Sequence, residues 1–411
     1  MEDLERRDGG RTVEKQGGGV GDGLRLSRVV AGIAPLDGEA MHLARRRLDS
    51  LTKPRGSLGY LEEIAVRLAG ITRDPLPRVD PGVVVVMAGD HGVVEEGVSL
   101  YPPEVTRQMV ENFLRGGAAV SVLSRLSGVR VRVVDVGVAA ELDHPELVVR
   151  KVRPGTANMC RGPAMSREEA LLALEAGMEI AEEEISQGAR LICLGDMGIG
   201  NTTPSSAVIS CFLGLPPCEV TGRGTGLDGD GWRRKVAAVE RALEVNSPLP
   251  SDPLDVLSKV GGLEIAGLAG LALGAAYRRV PVVVDGLIAG AAALLASRLA
   301  PGVRNYLFAG HLSAEPGHRL VLEDLDLRPL LQLDMRLGEG TGAVLASFIL
   351  EAACRLLREM ATFEEAGVSR SLPETSPPGL DHPGQELRPP DGGVAGGFLR
   401  AYLQEQGAGR G

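Results

Sequence analysis

The chain has 411 residues, and its 54 acidic residues outnumber its 44 lysines and arginines, which gives a net charge of −10. A hydrophobic share of 44% is enough for a large buried core and excludes a wholly disordered chain. The acidic balance offers no broad basic face for nucleic acid, and the 3% aromatic share argues against an RNA-stacking platform. A small anionic ligand stays compatible with this charge, because exposed charges are screened beyond about 8 Å.

The cysteines and the apolar runs predict a soluble, cytoplasmic protein with no membrane partner. The five cysteines are scattered through the chain without a CxxC pair, which is typical of a reducing compartment. The charged, glycine-rich start has no apolar central run and does not look like a secretory signal. The most apolar stretches, 266–276 and 286–296, are about half as long as the roughly 20 residues that cross a bilayer.

The two ends of the chain differ in composition from the middle. Residues 1–25 are polar and glycine-rich, and residues 366–411 carry six prolines among glycines. Such segments bury too little apolar surface to offset the loss of chain entropy. We therefore predict two flexible tails, with one short helix at 398–403.

Between these tails, short β-branched runs alternate with helical patterns, which predicts a parallel sheet wrapped by helices. The strands are almost continuously Val, Ile and Leu, so we expect them to be buried on both faces. The predicted strands are 82–88, 129–136, 190–195, 280–286 and 305–311. The predicted helices are 39–50, 58–71, 103–126, 166–187, 204–213, 230–245, 261–277, 287–299 and 341–360.

Two of these helices carry recognisable start signals. Ser166 with Glu169 forms a capping box at the start of the helix at 166–187. Thr203 before Pro204 predicts a cap that is followed by proline at the first helical position.

Each predicted strand ends in a cluster of small or polar residues. In open α/β sheets, ligands bind outside the carboxyl ends of the strands, so these clusters should meet at one crevice. A single cluster is as readily a turn or a helix cap, but five together favour a binding site. The clusters are residues 89–92, 135–137, 195–198, 285–286 and 310–311.

Two glycine-rich turns have the composition of a phosphate seat. Residues 195–203 place glycines, an amide and hydroxyls just before a predicted helix, whose N-terminus favours an anion. This segment matches neither a Walker A loop nor a GxGxxG dinucleotide pattern, so a plain turn remains an alternative. A second turn, 221–226, precedes a helix that carries Lys235, which is either a phosphate contact or a solvated surface lysine.

Glu339 lies between two glycines immediately before a predicted apolar helix. A carboxylate at this position could simply stabilise the helix dipole. It could also be a general base whose pKa is raised by the apolar neighbours Leu333, Met335 and Leu337. The pattern alone favours the capping role.

The histidines and strand-end carboxylates leave room for a metal-dependent phosphohydrolase, which we consider a weaker alternative. No HExxH or paired-cysteine spacing is present, and such residues are more often hydrogen-bonding scaffolds. A GxSxG elbow for serine hydrolysis is also lacking. The residues in question are His91, His311, His318, Asp90, Asp135, Asp285 and Glu315.

Eight long motifs, taken together and in order, resemble the nicotinate-nucleotide:dimethylbenzimidazole phosphoribosyltransferase family of cobalamin nucleotide-loop assembly. The matching stretches are 51–71, 87–110, 153–159, 195–208, 220–228, 283–296, 309–318 and 333–343. The resemblance implies transfer of the ribose phosphate of nicotinate mononucleotide to 5,6-dimethylbenzimidazole. The products are α-ribazole 5′-phosphate and nicotinate, and no metal or other cofactor is implied.

The resemblance also implies a fold and a domain organisation. It implies a Rossmann-like, mostly parallel sheet flanked by helices over residues 81–340, in a homodimer. A small helical domain is expected to combine residues 26–80 with part of 341–365.

The family motifs assign roles to individual residues. Glu339, in the RLGEGTG motif, matches the family's catalytic base. The positions that match the phosphate and ribose site are Gly198, Gly200, Asn201, Thr202, Lys235 and Ser313. Those expected near the base pocket are Asp90, Tyr101, Gln108, Asp196 and Leu337.

Asp196 departs from the glutamate that many family members carry at this place. A non-catalytic nucleotide-binding protein on the same fold is therefore a second hypothesis. Retention of Glu339 counts against it.

Overall fold

The computed structural model describes residues 22–369. The predicted C-terminal tail and its short helix at 398–403 lie almost entirely outside the described residues, as do residues 1–21 of the N-terminal tail. The predicted N-terminal boundary at residue 25 falls inside a helix that begins at Asp22.

Within this part of the chain, fourteen α-helices and seven β-strands alternate. The helices are α1 Asp22–Gly32, α2 Gly38–Ser50, α3 Tyr60–Thr72, α4 Glu104–Leu114, α5 Ala119–Ser127, α6 Arg167–Ser186, α7 Thr202–Leu213, α8 Pro217–Val220, α9 Gly229–Asn246, α10 Pro253–Val260, α11 Leu263–Tyr277, α12 Leu287–Leu299, α13 Pro316–Leu325 and α14 Thr341–Glu359. The strands are β1 Gly82–Gly89, β2 Arg130–Gly137, β3 Val148–Val149, β4 Leu191–Met197, β5 Val282–Val284, β6 Leu307–His311 and β7 Pro329–Leu331. Two short 3₁₀ helices cover Gly92–Glu96 and Pro301–Tyr306.

The strands form one parallel sheet in the order β3-β2-β1-β4-β5-β6-β7. The predicted α/β fold with a mostly parallel sheet is confirmed, and all five predicted strands are present. The chain adds β2 and β3 on one side of β1, and then returns to add β4 on its other side. The point where the strand order reverses therefore lies between β1 and β4, and ligands bind at such points in open sheets.

The two edge strands, β3 and β7, were not predicted. They contain two and three residues, which is too short for a hydrophobic period to be recognised. β7 also begins with Pro329, a residue that a sheet tolerates at its edge.

Two of the helical predictions need correction. The helix predicted at 103–126 is two helices, α4 and α5, which are separated at Gly116 and Gly117, and Gly116 has a left-handed φ of 75°. The prediction of Thr203 as a helix cap is wrong, because α7 already begins at Thr202 and Pro204 lies in its first turn. Proline is tolerated there because the first N–H groups of a helix have no partner within the helix.

The capping box predicted for α6 is confirmed. The Ser166 hydroxyl accepts a hydrogen bond from the Glu169 N–H at 3.0 Å, and the Glu169 carboxylate accepts one from the Ser166 N–H at 2.7 Å. Four helices, α1, α8, α10 and α13, were not predicted, and the last three of them begin with proline. This proline at the first helical position is the sequence signal by which these three could have been found.

Helices cover both faces of the sheet. On one face α11 packs against β1, where Gly267 meets the Met87 side chain. The backbones of α6 and α11 touch, since a Cβ atom at Gly177 would lie 1.9 Å from the Gly267 carbonyl oxygen. On the other face, where Val84 points, Gly340 and α14 close the core. No helix among the described residues is long and apolar enough to span a membrane.

The helices α2 and α3 pack beside α14, far from them in sequence. The Arg47 guanidinium on α2 donates hydrogen bonds to the carbonyl oxygens of Leu357 and Arg358, at 2.7 and 3.1 Å. A β-bridge between Leu51 and Thr362 continues this contact past the end of α14. Residues 38–72 and the C-terminal end of the described chain thus pack together.

Candidate active site

A cavity of about 610 Å³ opens at the carboxyl edge of the sheet. It is lined by Asp196 of β4, Gly286 after β5, His311 of β6 and the loop that ends in Glu339. Three of the five predicted strand-end clusters therefore meet at one cavity. The clusters after β1 and β2 do not line it, and Asp135 of β2 instead accepts a hydrogen bond from the Val138 N–H at 2.8 Å.

Most of the residues predicted for the site line this cavity. They are Glu339, Gly198, Gly200, Asn201, Thr202, Ser313, Tyr101, Asp196 and Leu337. Lys235 lies one layer behind the wall, fully buried, and its Nζ atom donates to the Thr202 hydroxyl at 2.6 Å. Its side chain is therefore not the solvated surface lysine that the sequence left open.

Asp90 and Gln108 are not brought to this cavity but line a neighbouring one of about 540 Å³. The helical period of α4 explains the placement of Gln108, because Val105 and Met109, four residues apart, face the cavity that contains Glu339. Gln108 lies about 100° around the helix from Met109 and faces the other cavity. The apolar pair on α4 is the signal that sequence reasoning missed.

Glu339 stands on a strained loop that the sequence makes possible. Gly338, Glu339 and Gly340 have left-handed φ values of 81°, 64° and 89°, and glycine adopts this region without the penalty that a Cβ brings. The Glu339 side chain is buried, with 6% of its surface exposed, and its Oε2 atom has no hydrogen-bond partner among residues 22–369. Burial raises the pKa of Glu339 above its usual value, although a hydrogen bond from the Val120 backbone opposes the shift. This carboxylate has the burial and the free acceptor atom of a general base.

Asp285 fixes the loop that carries Glu339. Its carboxylate, fully buried at the end of β5, accepts hydrogen bonds from the N–H groups of Gly340 at 3.2 Å and Ala343 at 2.9 Å. Burial raises the pKa of Asp285 to about 7, although these backbone hydrogen bonds lower it. Asp285 therefore caps α14, the role that the sequence pattern had favoured for Glu339.

Asp196 faces the same loop from β4. Its Oδ2 atom accepts a hydrogen bond from the Asn201 side-chain amide at 2.9 Å, and a Cβ atom at Gly338 would lie 3.2 Å from its Oδ1 atom. Burial raises the pKa of Asp196 well above its usual value, and the negative charges of Asp285 and Glu264 add to the shift. A carboxyl group in these surroundings favours its protonated form, which can donate a hydrogen bond.

The cavity also has the features of an anion seat. The wall from Gly198 to Thr202 leads into the N-terminus of α7, where the helix dipole favours negative charge. Gly198 packs so closely that a Cβ atom there would lie 2.2 Å from the Gly89 carbonyl oxygen. Burial lowers the pKa of Lys235 to about 8, and the charge of Glu315 opposes this shift. Lys235 is therefore a cation directly behind the start of α7.

The buried histidines make contacts within the protein scaffold. His91 Nε2 lies 3.0 Å from Glu264 Oε1, and both side chains are buried. His318 Nδ1 accepts a hydrogen bond from the Ser313 N–H at 3.0 Å. Across residues 22–369, no three His, Cys, Asp or Glu side chains are arranged as a set of metal ligands.

A parallel sheet with an anion seat and a buried carboxylate at its carboxyl edge is a site for phosphorylated ligands. A family model described as phosphoribosyltransferase matches residues 33–368 of this chain. A nicotinate-nucleotide–dimethylbenzimidazole phosphoribosyltransferase of Chloroflexus aggregans is 59% identical over 345 residues, which are 84% of this chain and 98% of that protein. The enzyme of the same name from Desulforamulus reducens is 55% identical over 347 residues, which are 84% and 99%.

A solved structure shows the same relationship. The crystal structure of nicotinate-nucleotide–dimethylbenzimidazole phosphoribosyltransferase from Thermus thermophilus aligns with a TM-score of 0.78 at 56% identity, covering 82% of this chain and all of that one. The chain belongs to the nicotinate-nucleotide–dimethylbenzimidazole phosphoribosyltransferase family, and the resemblance inferred from its motifs is confirmed.

Proposed function

We propose that this protein transfers the phosphoribosyl group of nicotinate mononucleotide to 5,6-dimethylbenzimidazole, with Glu339 as the general base. The products are α-ribazole 5′-phosphate and nicotinate. The observation that carries the proposal is the position of Glu339, a buried carboxylate that lines the same cavity as the glycine-rich wall before α7. The family membership supports the reaction.

The chemistry needs one proton acceptor. One ring nitrogen of dimethylbenzimidazole attacks the anomeric carbon while Glu339 removes the proton from the other nitrogen. The bond from that carbon to the nicotinate nitrogen breaks, and its electron pair neutralises the positive charge of the pyridinium ring. The leaving group therefore departs without being protonated, and displacement from the opposite face inverts the anomeric centre to α.

The remaining site residues are proposed to bind and orient the two substrates. Lys235 and the Gly198–Thr202 wall would hold the phosphate and ribose, together with Ser313. Tyr101, Leu337 and the unpredicted Met109 and Met197 are the apolar part of the wall that would hold the flat base. Asp196 would donate a hydrogen bond from its protonated carboxyl group. Asp90 and Gln108 line the neighbouring cavity, so we give them no contact with the base.

Glu339→Gln tests the assignment of the base. Gln keeps the size of the side chain but cannot accept the proton, so we expect turnover to fall by about 10²–10⁴, the usual contribution of a general base. Release of nicotinate from nicotinate mononucleotide and dimethylbenzimidazole measures the turnover, and calorimetry with nicotinate mononucleotide alone should show unchanged affinity. Glu359→Gln, on an exposed side chain at the end of α14, is the matched control.

Full activity of Glu339→Gln would contradict the assignment of the base. Nucleotide binding by the wild-type protein without any release of nicotinate would instead favour the non-catalytic hypothesis.

We also propose that the protein is a cytoplasmic homodimer. All five cysteines are free, which suits a reducing compartment. The packed helices α5 and α14 expose Val122, Leu126 and Phe348, with 51%, 84% and 67% of their surfaces accessible, and such apolar side chains are typical of an interface. Light scattering after size-exclusion chromatography should give twice the mass of the chain, and a monomer at micromolar concentration would contradict the dimer.

A further inference from the structure

Among residues 22–369, Arg336 is the one lysine or arginine whose side chain lines the cavity that contains Glu339. It is exposed to solvent and stands three residues before Glu339 on the same loop. Its Nη1 atom donates a hydrogen bond to the Gly224 carbonyl oxygen at 2.9 Å. A guanidinium has five N–H donors in a planar fork, so this one bond orients the group and leaves donors for a ligand.

The side chains of Arg336 and Lys235 both lie against Gly224. A Cβ atom at Gly224 would lie 2.8 Å from Lys235 Nζ and 3.0 Å from the Thr202 hydroxyl oxygen. Gly224 therefore contacts both cations: its carbonyl oxygen accepts a hydrogen bond from Arg336, and its Cα atom packs against Lys235 Nζ. The Gly224 N–H donates to Glu315 Oε1 at 2.9 Å, which holds this turn in position.

Lys235 alone does not supply enough positive charge to neutralise a phosphate at this end of the cavity. A phosphate monoester carries nearly two negative charges at neutral pH, whereas Lys235 supplies at most one positive charge and lies beside the carboxylate of Glu315. Arg336 can supply a second charge and two parallel hydrogen bonds, which match the geometry of phosphate oxygens.

We propose that Arg336 binds the 5′-phosphate of the nucleotide from the solvent side of the cavity, opposite the buried Lys235, and so makes the enzyme select a nucleotide over its unphosphorylated riboside. The inference rests on the proposed function and adds a specificity-determining residue to it. Nicotinate mononucleotide carries a second anion, the ring carboxylate. The anchoring of Arg336 at Gly224, beside Lys235 and the start of α7, favours the phosphate.

The test compares Arg336→Ala and Arg336→Lys with the wild-type protein, using dimethylbenzimidazole as acceptor. For Arg336→Ala we expect KM for nicotinate mononucleotide to rise about tenfold, as a lost hydrogen bond to a charged group predicts, and kcat to change little. KM for nicotinate riboside, which lacks the phosphate, should not change. Arg336→Lys should restore part of the affinity for the nucleotide, because it keeps the charge and loses the fork.

Arg223→Ala is the matched control, because Arg223 belongs to the same turn and its Nη1 atom donates to the Leu227 carbonyl oxygen instead of lining the cavity. Its kinetic constants should equal those of the wild type. Equal losses for nucleotide and riboside in Arg336→Ala, or no loss for either, would overturn the inference. A loss for nicotinate mononucleotide that disappears with nicotinamide mononucleotide would assign Arg336 to the ring carboxylate and also overturn it.

Calorimetry separates this inference from the proposed reaction. If the wild-type protein releases no nicotinate, the proposed function fails. The affinities of nicotinate mononucleotide and nicotinate riboside for the same variants then still decide whether Arg336 binds the phosphate.

Discussion

The carboxyl group of Asp196 is where this sequence departs from the glutamate expected in many members of its family, and its surroundings favour a protonated side chain. Because burial and the neighbouring carboxylates of Asp285, Glu264 and Glu339 raise the pKa of Asp196, we predict that Asp196→Asn keeps most of the turnover. Asn has nearly the same shape as the protonated acid, donates a hydrogen bond and can still accept one from Asn201.

The same substitution should change stability with a definite dependence on pH. The folded state holds the Asp196 proton more tightly than the unfolded state, so the wild-type protein loses stability as the pH rises past the unfolded pKa. Asn does not titrate, so the melting temperature of Asp196→Asn should exceed that of the wild type at pH 7 and approach it at pH 4. Thermal unfolding at both values measures this difference, and an equal difference at both pH values would contradict it.

Asp196→Ala is the contrasting variant. It leaves the buried Asn201 amide without its acceptor, which costs about 1–3 kcal/mol in the free energy of unfolding.

At the level of single residues, the sequence predicted most of the site residues that backbone geometry places, although Asp90, directly after β1, lines the neighbouring cavity. It failed for Gln108, whose position depends on the direction of a helical side chain. Glu339, Asp196 and the wall from 198 to 202 follow strand ends or precede helices, so the parallel sheet brings them together. Gln108 lies inside a helix, where one residue turns the side chain by about 100°. Its neighbour Met109 therefore lines the cavity instead.

Arg336 was also missed, because it lies on an extended loop where no period indicates which side chains face inward.

The loop before α14 is the element whose geometry depends most strongly on its sequence. We predict that Gly340→Ala destabilises the fold and lowers turnover. The Cβ atom of the alanine would lie 2.6 Å from Val84 Cγ2. The alanine backbone would also have to adopt the left-handed φ of 89° that Gly340 has. The left-handed backbone costs about 1–2 kcal/mol and the overpacking about 1–3 kcal/mol, so the free energy of unfolding should fall by roughly 2–5 kcal/mol.

Denaturant unfolding measures the loss, and Gly128→Ala provides the control. Gly128 has a similar φ of 72°, but a Cβ atom at this position would have no neighbour within 4 Å in the described part of the chain. The Gly128→Ala variant should lose only the stability that the left-handed backbone costs, and its turnover should stay unchanged. If both variants lost the same stability, the contact with Val84 would not be what constrains the loop.

Some of the other elements are specified by their own residues, whereas others depend on neighbouring elements in the fold. Four of the five predicted strands are buried on both faces and almost continuously apolar, apart from small or polar residues at their ends. β2 begins with the exposed Arg130 and the half-buried Arg132, and only its second half is buried. The edge strands β3 and β7 exist because a neighbouring strand offers hydrogen bonds, which no pattern within their own residues records. The break between α4 and α5 was marked by two adjacent glycines, a signal that the apolar period on both sides concealed.

At the scale of the whole molecule, we propose that residues 26–80 and part of 341–365 form the small helical domain expected from the sequence, against a sheet domain of residues 81–340. Hydrogen bonds cross between these two parts of the chain. The Arg67 guanidinium donates to the Arg304 carbonyl oxygen at 2.7 Å, and the Tyr306 hydroxyl donates to the Ala34 carbonyl oxygen at 2.8 Å. The two domains should therefore unfold together in the wild-type protein.

Arg279 makes the densest of these connections and provides the test. From the end of α11 its guanidinium donates to the carbonyl oxygens of Ile71 at 2.9 Å, Pro35 at 3.1 Å and Gly70 at 2.7 Å. Arg279→Ala removes all three hydrogen bonds, so we expect the free energy of unfolding to fall by about 2–4 kcal/mol, since charged donors strengthen such bonds and partial exposure weakens them. Hydrogen exchange should accelerate in α2 and α3 more than in β1 and β4.

The neighbouring residue Arg278 provides the matched control, because its guanidinium pairs with an exposed carboxylate, that of Glu182, at 3.5 Å. An exposed ion pair contributes less than about 1 kcal/mol, so Arg278→Ala should unfold almost as the wild type does. If Arg279→Ala accelerated exchange equally in the helices and the central strands, loss of these hydrogen bonds would not separate the two parts, and the proposed domain division would be wrong.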